Sequence, residues 1–142
     1  MNKSLFYSLS FTWGLPMTII GLIVGLVLVI AGYKPKKYGY CLHFEIGSNW
    51  GGLELGIVFL TDTTPSEHTK MHEHGHSIQN CYWGFLMPFV VCIPSAIRYW
   101  YRELKYHRKG LTPPTEYDDA WFEGDATKRG TEFIKSLGKQ TI

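Results

Sequence analysis

Charged side chains are scarce in this sequence. They make up 18% of its 142 residues, whereas a soluble domain commonly has about a quarter. The shortage is uneven, because no charged residue occurs from position 4 to position 33. A mean hydropathy of −0.07 nevertheless argues against a chain that is buried entirely in lipid. The composition therefore predicts a membrane-attached protein with a polar part.

Cysteines and basic patches are also limited. Cys41, Cys81 and Cys92 belong to no paired motif, which excludes a disulfide-stabilised scaffold and indicates reduced thiols that pack as small apolar groups. The net charge is +2, and no basic stripe alternates with exposed aromatic residues. This pattern argues against nucleic acid as a partner. The sequence contains no internal repeat and no low-complexity segment.

The uncharged N-terminal run predicts a transmembrane helix. About 20 apolar residues suffice to cross a bilayer, and the run is too long for a signal peptide and lacks a clear cleavage site. We therefore expect residues 1–33 to form a membrane anchor that binds the lipid bilayer. Gly21 and Gly25 form a G-x-x-x-G pattern, which lets a second helix approach closely, so a homo-oligomer through these glycines is a further expectation.

Residues 34–142 read as a separate domain. Residues 42–46 alternate between apolar and polar side chains, and a second apolar run begins at Leu53 and ends at Leu60, so the pattern predicts a β-hairpin. Thr64, Pro65 and Glu67 predict a helix over residues 65–83, interrupted by Gly84. A last helix is expected over residues 116–129, before Gly130.

The densest cluster of ionisable side chains lies in the first of these helices. His72, Glu73 and His76 form an H-E-x-x-H pattern. Two histidines four residues apart lie on one helical face, so both imidazoles can bind one metal ion. Glu73 is rotated by about 100° from His72, which leaves it free to accept a proton from a water that the metal makes more acidic. The motif therefore predicts a hydrolytic metal site with Glu73 as its base.

A catalytic zinc commonly has three protein ligands, so a third ligand is expected. Glu123 is the candidate, and with these residues the chain resembles the HEXXH zinc metallopeptidases of the glutamate-ligand type, the gluzincins. Glu123 to Ala126 match the E-x-x-A pattern of that family, whereas Asp125 departs from its alternative spacing. The resemblance implies zinc bound by His72, His76 and Glu123. Asp125 in place of Glu123, or His68 as a further imidazole ligand, remain alternatives, whereas His74 points away from the pair.

A second resemblance covers most of the chain. The stretches "NWGG", "HEHGHSIQN", "IPSAIRYWYRE" and "WFEG" are similar to those of a set of small, uncharacterised bacterial membrane proteins that carry the same motif. This resemblance implies a membrane location but no particular substrate.

The proposed ligands constrain the topology of the uncharged segment 77–97. If Glu123 joins His72 and His76, both ends of this segment lie on one side of the membrane, since a full crossing would separate them by about 30 Å. Basic residues at 34–37 and 98–109 favour the cytoplasmic face. We therefore expect a re-entrant segment, with a second span and a metal at membrane depth as the alternative.

Together these patterns predict an α+β membrane protein. Its elements are an N-terminal transmembrane helix, a short β-hairpin, the H-E-x-x-H helix, a re-entrant or second membrane segment, and a C-terminal helix with the third ligand. The expected function is a membrane-anchored zinc peptidase that binds a polypeptide substrate along the strand edge between Leu53 and Leu60. The alternatives are a non-catalytic protein with a structural metal and an oligomeric membrane scaffold.

Overall fold

The computed structural model describes residues 1–140, so the last two residues of the expected domain 34–142 lie outside the described residues. Residues 1–140 form an α+β fold of five α-helices and one four-stranded sheet. The helices are α1 (Lys3–Ser10), α2 (Leu15–Ile30), α3 (Glu67–Trp83), α4 (Ile93–Lys105) and α5 (Trp121–Gln140). The strands are β1 (Lys36–Tyr38), β2 (Cys41–Glu45), β3 (Gly52–Leu55) and β4 (Val58–Thr61).

The predicted β-hairpin is wrong in its pairing. The second apolar run splits at Gly56 (φ +73°) into β3 and β4, which are antiparallel, with Leu55 opposite Val58. A glycine with positive φ suits the two-residue turn between them. β2 instead pairs with β4 in parallel, with Leu42 beside Val58. Gly56, which the sequence pattern places inside one strand, therefore forms the turn of the hairpin.

The strand order β1-β2-β4-β3 decides which strand has a free edge. β4 is paired on both sides, and all four of its residues are buried. β3 pairs only with β4 and lies at one edge of the sheet. The expected substrate edge between Leu53 and Leu60 is therefore reduced to β3, because the backbone of β4 is already hydrogen-bonded on both sides.

The predicted N-terminal transmembrane helix is wrong as well. The run is divided between α1 and α2, which are bent by 92° relative to each other. Pro16 lies at the start of α2, and a proline inside a continuous helix would remove a hydrogen bond and clash with the preceding turn. α2 has 16 residues, and no single helix within residues 1–140 is long and apolar enough to cross a membrane.

The uncharged segment 77–97 does not form a single helix. α3 ends at Trp83 as predicted, with Gly84 at φ +53°. A short 3₁₀ turn and a π-helical turn, Pro88–Cys92, then lead into α4. The chain bends by 116° at this break, and the two halves satisfy the length and hydropathy of a span only when they are taken together. The expected second span is therefore not a single helix, since the segment is divided among four helical elements; a re-entrant segment stays a prediction.

The hydrophobic core lies between the sheet and the first three helices. Phe44 and Val58 from the sheet pack with Phe6 of α1 and Met17 of α2 in one buried cluster. Residues 1–33 thus share a core with the rest of the chain.

The glycines of the G-x-x-x-G pattern face this core. A methyl group on Gly21 would overlap the carbonyl oxygen of Leu55, and one on Gly25 would contact the ring of Phe44. The close approach that the pattern predicts is therefore made to the sheet of the same chain. Oligomerisation through these two glycines stays a prediction.

α3 and α5 cross with their backbones in contact. A methyl group on Gly75 of α3 would overlap the carbonyl oxygen of Ala126 in α5. A methyl group on Gly130 of α5 would likewise overlap the carbonyl oxygen of Met71. The expected end of the last helix at Gly130 is wrong, because this glycine provides space for the crossing instead of ending the helix.

We expect Gly75→Ala and Gly130→Ala each to lower the free energy of unfolding by about 3 kcal/mol or more, because each added methyl group meets backbone that cannot move aside easily. Urea denaturation measures this loss. Gly138→Ala is the matched control, since nothing lies within 4 Å of its added methyl group. The control should gain up to about 1 kcal/mol from helix propensity. Equal stability of all three variants would contradict the close crossing.

Candidate metal centre

Helix α3 fixes the relative position of the two motif histidines. Its N-cap is Ser66, whose hydroxyl accepts a hydrogen bond from the backbone N–H of Thr69. The helix thus begins two residues later than predicted from Thr64 and Pro65, which leaves His72 and His76 in its second and third turns. Their spacing of four residues puts both rings on the face that packs against α5.

Three ligand atoms converge between the helices. The Nε2 atoms of His72 and His76 lie 3.1 Å apart, and each lies 3.1 Å from Oε2 of Glu123. Glu123 is fully buried, and both histidines are less than 9% exposed. The structure therefore brings together the two motif histidines and the glutamate that the sequence nominates as third ligand.

The outer nitrogen of His76 is bound by Gln79, which determines the tautomer. Nε2 of Gln79 donates hydrogen bonds to the carbonyl oxygen of Phe122 (2.9 Å) and to Oδ2 of Asp125 (2.8 Å). Oε1 of Gln79 therefore faces Nδ1 of His76, at 2.7 Å. Because this oxygen can only accept, Nδ1 of His76 carries the proton, and in the neutral ring Nε2 presents its lone pair to the centre.

His72 is oriented in the same way by a threonine. The Thr127 hydroxyl donates its hydrogen to Oδ2 of Asp118, at 2.8 Å. Its oxygen lies 2.7 Å from Nδ1 of His72 and has to accept there, because its one hydrogen is used. Nε2 of neutral His72 thus also presents a lone pair to the centre. Asp118 and Thr127 form the outer hydrogen-bonded partner that metal-binding histidines usually have.

Three such atoms at mutual distances of 3.1 Å repel one another unless a proton or a metal cation lies between them. Tetrahedral ligands at zinc distances of 2.0–2.2 Å are about 3.3 to 3.6 Å apart, so the three atoms would need to move apart by only a few tenths of an ångström to hold a metal ion. The donor set also has one open direction, towards the cavity described below. His72, His76 and Glu123 therefore form a buried group that could hold a metal ion.

The charges of the site agree with such a cation. Burial raises the pKa of Glu123, but hydrogen bonds with His72 and His76 outweigh it and hold that pKa well below the usual range. For His76, burial lowers the pKa, whereas the hydrogen bond with Glu123 and the nearby carboxylates raise it to about 9. The surroundings therefore favour positive charge at the point where the ring nitrogens meet.

Glu73 lies beside the three ligand atoms without being one of them. It is 6% exposed, and burial is the main cause of its raised pKa, which the two histidines lower and Glu123 raises further. Its carboxylate packs against the backbone of β3, where a methyl group on Gly52 would overlap it. The absence of a side chain at Gly52 thus gives Glu73 its position between α3 and the strand edge.

The other candidate ligands lie outside the centre. His68 is largely exposed, and its Nε2 is 3.5 Å from Asp118. Asp125 pairs with Arg129 at 2.6 Å and accepts from Gln79. His74 is fully buried on the far side of α3, where its ring stacks on Phe133. Burial lowers its pKa to about 4, so its role is packing in a neutral form.

A cavity of about 860 Å³ opens beside the centre. Its walls are β3, the motif face of α3 and the segment from Met87 to Arg102. Sequence reasoning did not single out two residues of this cavity: Glu54, which lies within the expected substrate strand, and Tyr117. The Tyr117 ring lies 6.2 Å from that of His72, and burial followed by the charge of Glu123 raises the pKa of its hydroxyl.

The residues that orient the ligands were missed too, although a signal for them exists. Gln79 follows His76 by three positions and lies on the same face of α3, and Thr127 follows Glu123 by four positions and lies on the same face of α5, from which it reaches His72. Asp118 carries no such signal, since it belongs to a 3₁₀ turn, Tyr117–Asp119, that precedes α5.

No family model, curated protein or solved structure matches this chain. The resemblance to gluzincins through H-E-x-x-H and E-x-x-A thus stays an expectation. What the site binds has to be inferred from its own atoms.

We expect Thr127→Val to weaken the binding of a divalent metal ion about 10- to 100-fold, because the variant leaves Nδ1 of His72 without an acceptor. Protein stripped by a chelator is titrated with Zn²⁺ against a chromophoric competitor. Thr131→Val, one turn further along α5, is the control and should bind as the unaltered protein does. Unchanged affinity in Thr127→Val would contradict the role given to this hydroxyl.

Proposed function

We propose that this protein is a zinc-dependent peptidase that cleaves a polypeptide close to a membrane. The observation that carries the proposal is the triangle of lone pairs from His72, His76 and Glu123, with the Glu73 carboxylate next to it. A structural metal would need the same three ligands. It would not need a carboxylate with a raised pKa beside an open cavity.

Zinc is the ion that suits these donors best. Two imidazole nitrogens and one carboxylate oxygen are a donor set of catalytic zinc sites, which keep a fourth position open. Calcium and magnesium prefer sites built from oxygen atoms alone. A zinc ion bound here would lower the pKa of a water molecule and polarise a peptide carbonyl.

Glu73 would act as the general base. Burial shifts the pKa of Glu73 towards neutral pH. A base with a pKa near the working pH both accepts and returns a proton efficiently. Burial in the cavity wall keeps bulk water away, and Gly52 leaves room for the carboxylate to turn towards the substrate. Glu73 would take the proton from the attacking water and pass it to the leaving nitrogen.

β3 would bind the substrate backbone. Its outer edge has no partner strand among residues 1–140, and Gly52, Leu53 and Glu54 line the cavity. An extended peptide can add to such an edge through main-chain hydrogen bonds. The scissile bond would then lie next to Glu73, because this side chain packs against the first residue of the strand.

A lipid bilayer is the partner that we propose for the exposed apolar surface. Ile23 and Leu26 of α2 are 59% and 62% exposed, and Phe89 is 68% exposed. The ring contact between Trp13 and Phe85, at 5.5 Å, joins the two regions into one surface. Apolar patches of this extent mark interaction with a membrane or another protein. Lys34, Lys36 and Lys37 lie just beyond α2, where they suit anionic headgroups.

Glu73→Gln should retain one equivalent of zinc but lose peptide cleavage by about 10²- to 10⁴-fold, because the amide cannot accept the proton. Turnover of a quenched fluorescent peptide library and elemental analysis are measured on the same preparation. Glu132→Gln, an exposed position on α5, serves as control. Retained turnover in Glu73→Gln would refute the base. An unaltered protein that holds zinc and cuts no peptide would favour a structural metal.

Gly52→Ala tests the position of the Glu73 carboxylate from the neighbouring strand β3. The added methyl group overlaps the Glu73 carboxylate, the flexible end of a side chain, so the fold and the metal should survive while the base is displaced. We expect cleavage to fall at least about tenfold, which corresponds to 1.4 kcal/mol in the barrier. Activity equal to that of the unaltered protein would contradict the proposed geometry.

Lipid binding is tested by flotation with vesicles of phosphatidylcholine and phosphatidylglycerol. The unaltered protein should float with the vesicles, whereas Ile23→Glu combined with Leu26→Glu should not, since each charge at membrane depth costs about 3 kcal/mol. Leu42→Glu, at an exposed position of β2, is the control. Equal flotation of both variants would rule out α2 as the contact.

A further inference from the structure

A second cavity, of about 500 Å³, lies outside the site of the proposed reaction. It is lined by three aromatic side chains and an ion pair, namely Tyr82, Trp83, Trp121, Asp125 and Arg129. None of these residues lines the larger cavity beside the metal centre. Concave places with a few polar groups are where small ligands bind, so the lining side chains decide which ligand fits here.

Arg129 is held in place through only part of its guanidinium group. Its Nε donates a hydrogen bond to Oδ2 of Asp125, at 2.6 Å, and the group lies over the Tyr82 ring, 4.3 Å from its centre. No carboxylate or carbonyl oxygen within residues 1–140 accepts a hydrogen bond from its two terminal nitrogens. A guanidinium has five N–H donors in a fixed plane, so most of them remain for a ligand.

The charges around this cavity favour an anion. Asp125 is the only acidic side chain that lines it among residues 1–140, and its Oδ2 already accepts from Arg129 and Gln79. Burial raises the pKa of Asp125, but these hydrogen bonds and the charges of Arg129 and Lys128 outweigh it and lower that pKa. One carboxylate thus accompanies two cationic side chains, which leaves an excess of positive charge for a ligand to balance.

The aromatic side chains narrow the choice of anion. The rings of Trp83 and Trp121 meet edge to face, at 6.1 Å, and neither indole N–H donates a hydrogen bond within residues 1–140. Two indoles and one guanidinium therefore offer hydrogen-bond donors to a ligand with several acceptor oxygens. Arginine binds phosphate oxygens particularly well. A phosphate ester combines such oxygens with an organic group that can lie against the aromatic rings.

The cavity adjoins the apolar surface proposed above for lipid contact. The carbonyl oxygen of Tyr82 accepts a hydrogen bond from Nε1 of Trp13, at 3.1 Å, and the Trp13 ring contacts Phe85. Tyr82 and Trp121 are largely exposed. Tryptophan and tyrosine are enriched at the level of lipid headgroups, and basic pockets next to membrane segments bind anionic headgroups. A phosphate at Arg129 would therefore lie at headgroup level when Phe85 meets the acyl chains.

We infer that the cavity around Arg129 binds the phosphate group of an organic phosphate ester. The terminal nitrogens of Arg129 donate hydrogen bonds to the phosphate oxygens, and the indoles of Trp83 and Trp121 complete the site. The ester is either a phospholipid headgroup, which the neighbouring apolar surface favours, or a soluble molecule. The lipid source rests on the lipid contact proposed above, whereas the site itself does not depend on the peptidase.

Isothermal titration with glycerophosphoglycerol, the headgroup of phosphatidylglycerol without acyl chains, tests the site. The zinc-loaded unaltered protein should bind it, and Arg129→Gln should bind it about tenfold or more weakly, because hydrogen bonds from a charged group are lost. Lys135→Gln removes the same charge from an exposed position of α5 outside the cavity and should bind as the unaltered protein does. Equal binding in Arg129→Gln, or none in the unaltered protein, would overturn the inference.

Arg129 also supports the metal centre through Asp125, which joins it to Gln79. The zinc content of each variant is therefore measured by elemental analysis. If Arg129→Gln loses zinc, Trp121→Phe decides, since this residue takes no part in those hydrogen bonds. Trp121→Phe should retain zinc, bind glycerophosphoglycerol about threefold or more weakly for the loss of one donor, and show a smaller change in tryptophan fluorescence. An unaltered affinity and fluorescence change would contradict the site.

Dihexanoyl phosphatidylglycerol, kept below its critical micelle concentration, distinguishes the sources of the phosphate. Tighter binding than that of glycerophosphoglycerol, with the gain lost in Phe85→Ser, assigns a lipid headgroup. Equal affinity for both ligands assigns a soluble ester. If both ligands bind through Arg129 while the protein does not float with vesicles, the phosphate site stands and the lipid contact falls. If they bind and no peptide is cut, only the peptidase proposal falls.

Discussion

The backbone contact between α3 and α5 is the constraint on which the site depends. Helices with ordinary side chains at their crossing lie 8–10 Å apart, whereas Gly75 and Gly130 let these two touch. Gly75 directly precedes His76, and Glu123 lies less than one turn before Ala126, the residue under Gly75. The short glutamate side chain can therefore reach the imidazoles, and the distances of 3.1 Å follow from the crossing.

The same crossing also arranges the outer partners. Gln79 lies on α3 and donates to α5 through Phe122, while Thr127 lies on α5 and accepts from α3 through His72. α3 thus orients its own His76 through Gln79, and α5 orients His72 of α3 through Thr127. Because the outer nitrogens of both histidines have a partner, the cost of burying them is offset. The lone pairs of both neutral histidines therefore point to one position, and the centre could hold a metal ion there.

Sequence patterns predict the features that depend on the spacing of neighbouring residues. They do not predict contacts between segments that are distant in the chain. The end of α3 at Gly84 and the shared face of His72 and His76 follow from signals within a few residues. The strand pairing does not, since the parallel contact of β2 with β4 joins segments that have no local signal for each other. The role of a glycine in a helical pattern is ambiguous in the sequence, because Gly130 could either end the helix or let a second helix pack closely against it. Pro16 divides the N-terminal run, a break that counting apolar residues overlooks.

Two buried carboxylates, Glu73 and Glu54, line the cavity, and a third, Glu123, lies beside it at the metal centre. Their surroundings differ. Glu123 faces two imidazoles, which keep its pKa low and suit it to a cation. Glu73 is buried against a strand, and its pKa is raised, which suits it to proton transfer. Glu54 has one oxygen that accepts from Gly56 and one buried oxygen without a hydrogen-bond partner among residues 1–140, and burial raises its pKa. Groups of the same kind whose pKa values are driven apart are typical of sites that use acid and base together. A divalent cation bound at the centre would offset the charge of Glu123 and leave Glu73 free to accept a proton.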